Sequence, residues 1–149
     1  MPIVQRSVIV DRPAATMFAL VDDVEDYPQF LPWCADTEVY ERTPEVTRAR
    51  IDIDYRGLTT RIGTRNVKRP PGEMALELEE GPFDRFSGLW RFVALGDGGC
   101  RVELALDYAF SNAAMSLALR PVFGSIVETL LDRFVERAAS LPADGAARA

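Results

Sequence analysis

The chain has 149 residues, 48% hydrophobic and 27% charged, the balance of an ordinary folded protein of one domain. Seventeen basic residues against 23 acidic ones leave a net charge of −6, which disfavours DNA or any wholesale coating by nucleic acid. There is no histidine, so the chain cannot build a Ser-His-Asp or Cys-His pair, supply an imidazole base, or offer a metal its usual nitrogen ligand.

Two cysteines, Cys34 and Cys100, are too few for a four-thiolate zinc site and lack CxxC spacing. They read as reduced core residues, and no metal site is expected. The start, Met1-Pro2-Ile3-Val4-Gln5-Arg6, lacks the pattern of a secretory signal, and no uninterrupted apolar run approaches the roughly 18 residues of a span. A cytoplasmic location is expected, with peripheral contact to the inner membrane as its extension.

In chain order, Ile3 to Val10 reads as a strand, and Asp11-Arg12-Pro13 ends it before a short helix over Ala14 to Val21, with apolar positions at Met17, Phe18, Leu20 and Val21. A second, very short helix is predicted within Tyr27-Pro28-Gln29-Phe30-Leu31-Pro32-Trp33, because two prolines allow one helical turn and no more. The period then changes to two. Thr47, Ala49, Ile51, Ile53 and Tyr55 alternate with charged neighbours; Met74, Leu76 and Leu78 do the same, as do Cys100, Val102, Leu104, Leu106, Tyr108 and Phe110. Turn residues at Arg56-Gly57, Pro70-Pro71-Gly72, Gly81-Pro82 and Gly96-Asp97-Gly98-Gly99 separate these runs, which predicts an antiparallel meander of hairpins.

A long closing helix follows, capped by Ser111 or Asn112, with its apolar stripe at Met115, Leu119, Val122, Phe123, Ile126, Leu130, Phe134 and Ala138. Pro121 should bend or split it. The order is strand, two short helices, six strands, long helix: an α+β domain over 1–140 and a frayed tail over 141–149. The inner sheet face needs cover, and the last helix is the element long enough to give it. A curved sheet closed by one helix commonly leaves a cavity between them.

The motifs Tyr27-Pro28-x-Phe30-x-x-Trp33-Cys34, Gly81-Pro82-Phe83, Gly88-x-Trp90-x-Phe92, Tyr108-x-Phe110-Ser111-Asn112 and Phe134-x-x-Arg137-Ala138 together resemble the coenzyme Q-binding group of the START-like superfamily, whose bacterial members are also named ribosome association toxins. The resemblance runs from about Ile3 to Ala139. It implies a helix-grip fold: a curved antiparallel sheet of about seven strands wrapped around the C-terminal helix, with two short helices after the first strand. It also implies a non-enzymatic role with no required cofactor, binding ubiquinone or a related isoprenoid lipid, and, for some members, binding of the large ribosomal subunit that blocks subunit association. Polyketide cyclases of the same superfamily supply a third, enzymatic reading; without histidine it would rest on Asp, Glu, Tyr or Arg, and no pair of these stands out.

Candidate ligand contacts are Phe30, Trp33, Tyr55, Phe83, Trp90 and Phe92, together with Leu104, Tyr108, Phe123, Val127 and Leu130. Their aromatic rings suit a flat quinone and its chain, and the rival reading is plain core packing. Gly88 could mark a bulge opening space beside Trp90. Residues 48–69 carry seven basic side chains, among them Arg48, Arg50, Arg61, Arg65, Lys68 and Arg69, against two acidic ones, while 73–84 carry five acidic side chains. The basic stripe suits ribosomal RNA or anionic lipid headgroups; the rival reading is cross-strand pairing with the acidic neighbour. The run Asp22, Asp23, Glu25, Asp26 lacks the spacing and glycine of a calcium loop and reads as a solvated turn. The sequence leaves the oligomeric state open.

Overall fold

Seven strands form one antiparallel sheet in the order β1-β7-β6-β5-β4-β3-β2. The computed structural model describes residues 3–96 and 98–141, and Leu141 packs against the core; the expected tail beyond it lies outside the described residues. The strands are β1 (Ile3–Val10), β2 (Cys34–Arg42), β3 (Val46–Tyr55), β4 (Leu58–Arg69), β5 (Glu73–Glu80), β6 (Phe83–Leu95) and β7 (Gly99–Phe110). The first strand pairs with the last, and β1 and β2 become the two sheet edges. The chain between them therefore has to cross the whole sheet. That crossing is helix α1 (Ala14–Asp22) followed by a 3-10 helix, Val24–Gln29.

Helix α1 buries Met17, Phe18, Leu20 and Val21, as its spacing predicts. The second short helix lies a few residues upstream of its expected position. Leu31 precedes Pro32 and is thereby steered toward extended backbone, so the helical turn ends before it. Turns fall where glycine and proline place them. Arg56 and Gly57 both have positive φ, 53° and 85°, the pairing of a two-residue hairpin turn whose twist matches its strands.

Helix α2 (Ala113–Ala139) covers the inner face. Asn112 caps it by accepting a hydrogen bond from the Met115 amide at 2.8 Å. Of the two expected effects of Pro121, a bend or a split, the split does not occur: α2 is continuous through it. The carbonyl freed by the missing donor belongs to Leu117, which is 83% exposed, so water can satisfy it. The same exposure corrects the predicted stripe: Met115 is exposed, and Leu131 is buried more deeply than Leu130. Although α2 is long and apolar enough to cross a membrane, its buried side packs Leu119, Val122, Phe123, Ile126, Val127, Leu131, Phe134 and Ala138 onto the sheet.

A polar network fixes the crossing to the sheet. Asp22, the last residue of α1, accepts hydrogen bonds from Thr47 Oγ1 of β3 at 2.8 Å and Lys68 Nζ of β4 at 3.0 Å. Its backbone carbonyl takes one from Arg42 of β2 at 2.7 Å, and Arg42 also holds both oxygens of Glu25 at 2.7 and 2.8 Å. Asp22 and Glu25 are thus not merely solvated, and Lys68, 7% exposed, belongs to the inner face and not to an outer basic stripe.

The Arg42 hydrogen bond holds the Glu25 carboxyl below its ordinary value despite partial burial. A lowered folded-state pKa gives stability that is complete above the unfolded value of about 4.3 and is lost as pH falls through the folded one. Arg42→Gln should therefore melt below the wild type at neutral pH, with the gap narrowing once pH drops below about 4; thermal melts across a pH series check this.

Candidate functional site

Two positions on α2 set its height above the sheet. Phe123 meets Phe83, Tyr108, Phe86 and Phe110, with ring centroids 5.3, 4.9, 6.4 and 6.1 Å away. Phe134 meets Tyr27, Phe30 and Trp90 at 5.5, 5.3 and 5.6 Å, all edge to face. Along the helix the two are about 16 Å apart. Between them α2 presents Ile126, Val127 and Leu130, whose aliphatic side chains leave a space of about 120 Å³ above the sheet.

That cavity is walled by the crossing, by β3 to β7 and by α2. Val21, Val24 and Tyr27 come from the crossing, and Trp33 from the turn just before β2. Ala49, Ile51 and Ile53 come from β3; Ile62, Thr64 and Asn66 from β4; Met74 and Leu76 from β5; Phe86 and Trp90 from β6; Leu104 and Leu106 from β7. Among these lining residues none carries a formal charge at neutral pH. Tyr27 donates a hydrogen bond from its hydroxyl to the Val21 carbonyl, and burial raises its pKa. Polarity is confined to one region of the wall: Thr64 donates to Asn66 Oδ1 at 2.7 Å.

Six of the predicted ligand contacts, Trp33, Trp90, Leu104, Phe123, Val127 and Leu130, line this space. Five do not. Phe92 lies behind Trp90, stacked at 5.9 Å with the planes 5° apart, and supports it. Phe83 and Tyr108 belong to the Phe123 anchor, and Phe30 to the Phe134 anchor. Tyr55 reaches α2 through its hydroxyl, 3.2 Å from Ser125 Oγ.

Phe86 lines the cavity in place of Phe83 because the β6–β7 register shifts between Phe83 and Arg85. That bulge brings Phe83 and Phe86 within 5.0 Å of one another. Thr64 and Asn66 were missed because a polar pair in an apolar wall leaves no hydrophobic signal, although their even parity with Ile62 places them on the inner face.

Gly88 is not a bulge. It pairs in regular register with Leu76 and Leu106, and a Cβ on it would come within 2.8 Å of Leu106 Cδ2 and 3.0 Å of Leu76 Cδ1. The missing side chain gives these two leucines room to lie over the strand.

On the outer face Arg48 pairs with Glu79 at 2.9 Å, Arg50 with Asp52 at 2.6 Å and Glu38 at 3.1 Å, Arg61 with Asp52 at 2.8 Å, and Arg65 with Glu77 at 3.1 Å. The stripe is interleaved with acid. Arg69 lies exposed at the end of β4. Among the described residues no group of three or more potential ligands gathers to hold a metal. Desolvation pushes the Cys34 thiol up to about 12, far from a nucleophilic thiolate.

Gly88→Ala should force Leu76 and Leu106 toward the cavity. The expected cost is ~1–3 kcal/mol of overpacking, read as a shift in the urea midpoint at unchanged slope.

Residues 10–135 match the family model for polyketide cyclase / dehydrase and lipid transport. The ribosome association toxin RatA of Pseudomonas aeruginosa is 37% identical over 138 residues, covering 93% of this chain and 96% of that protein. The mitochondrial coenzyme Q-binding protein of Schizosaccharomyces pombe is 24% identical over 127 residues, covering 82% and 77%. A START superfamily protein from Mycobacterium smegmatis, 21% identical, superposes with a TM-score of 0.78 over 93% of this chain and 97% of its own, a likeness of fold. The chain belongs to the polyketide cyclase / dehydrase and lipid transport family, and its relatives include the ribosome association toxin RatA and a coenzyme Q-binding protein.

Proposed function

We propose that this protein is a non-enzymatic carrier that shields a neutral hydrophobic ligand, ubiquinone or a related isoprenoid lipid, between the sheet and α2, in support of respiratory quinone function. The observation that carries this reading is the cavity itself: walled mostly by apolar side chains from the crossing, Trp33, β3 to β7 and α2, and without a charged lining residue. A space of about 120 Å³ is of the order that admits one small ring. A quinone head fits that scale, and an isoprenoid chain must continue past the helix or widen the gap. The wall also favours binding over cyclase chemistry, since its one titratable group, Tyr27, is engaged with a backbone carbonyl. The coenzyme Q-binding relative is consistent with this ligand class.

A second reading, association with the ribosome in the cytoplasm, is favoured by the 37% identical relative of that name. Its contact surface cannot be a bare basic stripe, because the outer-face arginines are already paired. Its test is co-sedimentation with ribosomal subunits across a salt series. If the outer face is the contact, Arg61→Glu with Arg65→Glu lowers co-sedimentation and flattens its salt dependence; identical behaviour of variant and wild type removes that face from the interaction.

The carrier reading has a direct optical test, because both tryptophans of the chain, Trp33 and Trp90, line the cavity. A short-chain ubiquinone should quench their emission saturably and raise the melting temperature by mass action on the folded state. Neither effect at saturating quinone would overturn the carrier reading. Trp90→Phe, which keeps a ring against Phe134 and Phe92, should remain folded and lose part of the quench.

A further inference from the structure

The wall of the cavity holds a hydrogen-bond donor that the fold leaves unused. Asn66 is 5% exposed; its Oδ1 accepts from Thr64, and its Nδ2 has no partner among the described residues. Asn66 lines the cavity, and its amide nitrogen carries two N–H bonds and can only donate.

Around this donor the lining is mostly apolar and uncharged. A carboxylate or ammonium would enter with no counter-charge and lose its hydration, which argues against fatty acids and amines. What is missing from this wall is an uncharged acceptor.

We infer that Asn66 Nδ2 forms a recognition point for the carbonyl end of the ligand, and that the cavity selects an oxidised quinone over the corresponding quinol. The inference rests on the carrier reading above and adds to it the orientation and redox form of what is carried. A quinone brings acceptor oxygens and no donor, matching the two unspent N–H bonds of Asn66 Nδ2. A quinol brings two O–H donors that need acceptors of their own. The nearby acceptors, Thr64 Oγ1 and Asn66 Oδ1, are already joined to each other and offer only their remaining lone pairs. The Thr64 hydrogen bond also has a positioning role, since it holds the amide with its oxygen occupied and its nitrogen free.

The test is calorimetric titration of the full chain with a short-chain ubiquinone and, under anaerobic reducing conditions, its quinol. Wild type should bind the quinone about tenfold more tightly, the scale of one unpaired buried polar group. Asn66→Leu, similar in volume but without the donor, should bring the two affinities together while leaving the protein folded. Thr64→Val, which keeps the volume and frees the amide oxygen to accept, should narrow the same ratio and serves as the independent check should Asn66→Leu melt before titration. Equal or tighter quinol binding by wild type, or a ratio unchanged in the folded variants, overturns this inference while leaving the carrier reading intact. Wild type that binds neither form removes both.

Discussion

Phe123 and Phe134 hold α2 off the sheet, and the rest of the site follows from that spacing. Each ring is clamped by aromatic partners on the opposite wall, Phe123 by β6 and β7, and Phe134 by Trp90 and the 3-10 helix. Between the clamps the helix presents to the cavity only the aliphatic Ile126, Val127 and Leu130, too short to fill the distance that the rings impose. A helix packed by leucines throughout would settle closer to the sheet and close the gap, since interiors pack to crystalline density wherever side chains allow it. The cavity is therefore held open by contacts at its ends.

The crossing between β1 and β2 closes the remaining side. It must pass from one sheet edge to the other, and Asp22 fixes it by binding residues of β3 and β4 with its carboxylate and β2 with its carbonyl. Removing one partner of such a buried pair is costly because the other charge stays buried. This puts the charge of Asp22 and Lys68 to a structural use and leaves the cavity wall neutral. The division of labour is chemical: ion pairs at the crossing and on the outer face, aromatic clamps at the ends, and an uncharged chamber between them.

Much of this was legible before the structure. The period-two alternation of β3, β5 and β7, the turns at Arg56-Gly57 and Pro70-Pro71-Gly72, and the cap at Asn112 are local signals with local causes, and they appear where expected. Parity also contained the answer for Lys68, which shares the inward face of Ile62, Thr64 and Asn66; reading it with its basic neighbours Arg65 and Arg69 put it on the wrong side. The aromatic positions were found, but their division into lining and support was not. Whether Phe83 or Phe86 faces the chamber depends on a register shift at the β6 entry, and whether Phe92 touches a ligand depends on Trp90 standing in front of it. Such distinctions arise from three-dimensional packing, which composition and spacing do not encode. The intact α2 has the same kind of cause: Pro121 leaves a carbonyl free at Leu117, and the exposure of Leu117 makes that tolerable.

The central claim is that the gap held by the two aromatic clamps is occupied by a neutral lipophile in the cell. Organic extraction of the natively purified protein, followed by mass spectrometry of the extract, tests it most directly. The account predicts an isoprenoid quinone or closely related neutral lipid in near-stoichiometric amount, released only on unfolding. Extracts holding no lipid above the level of a control protein, or charged fatty acids and phospholipids in its place, would contradict it.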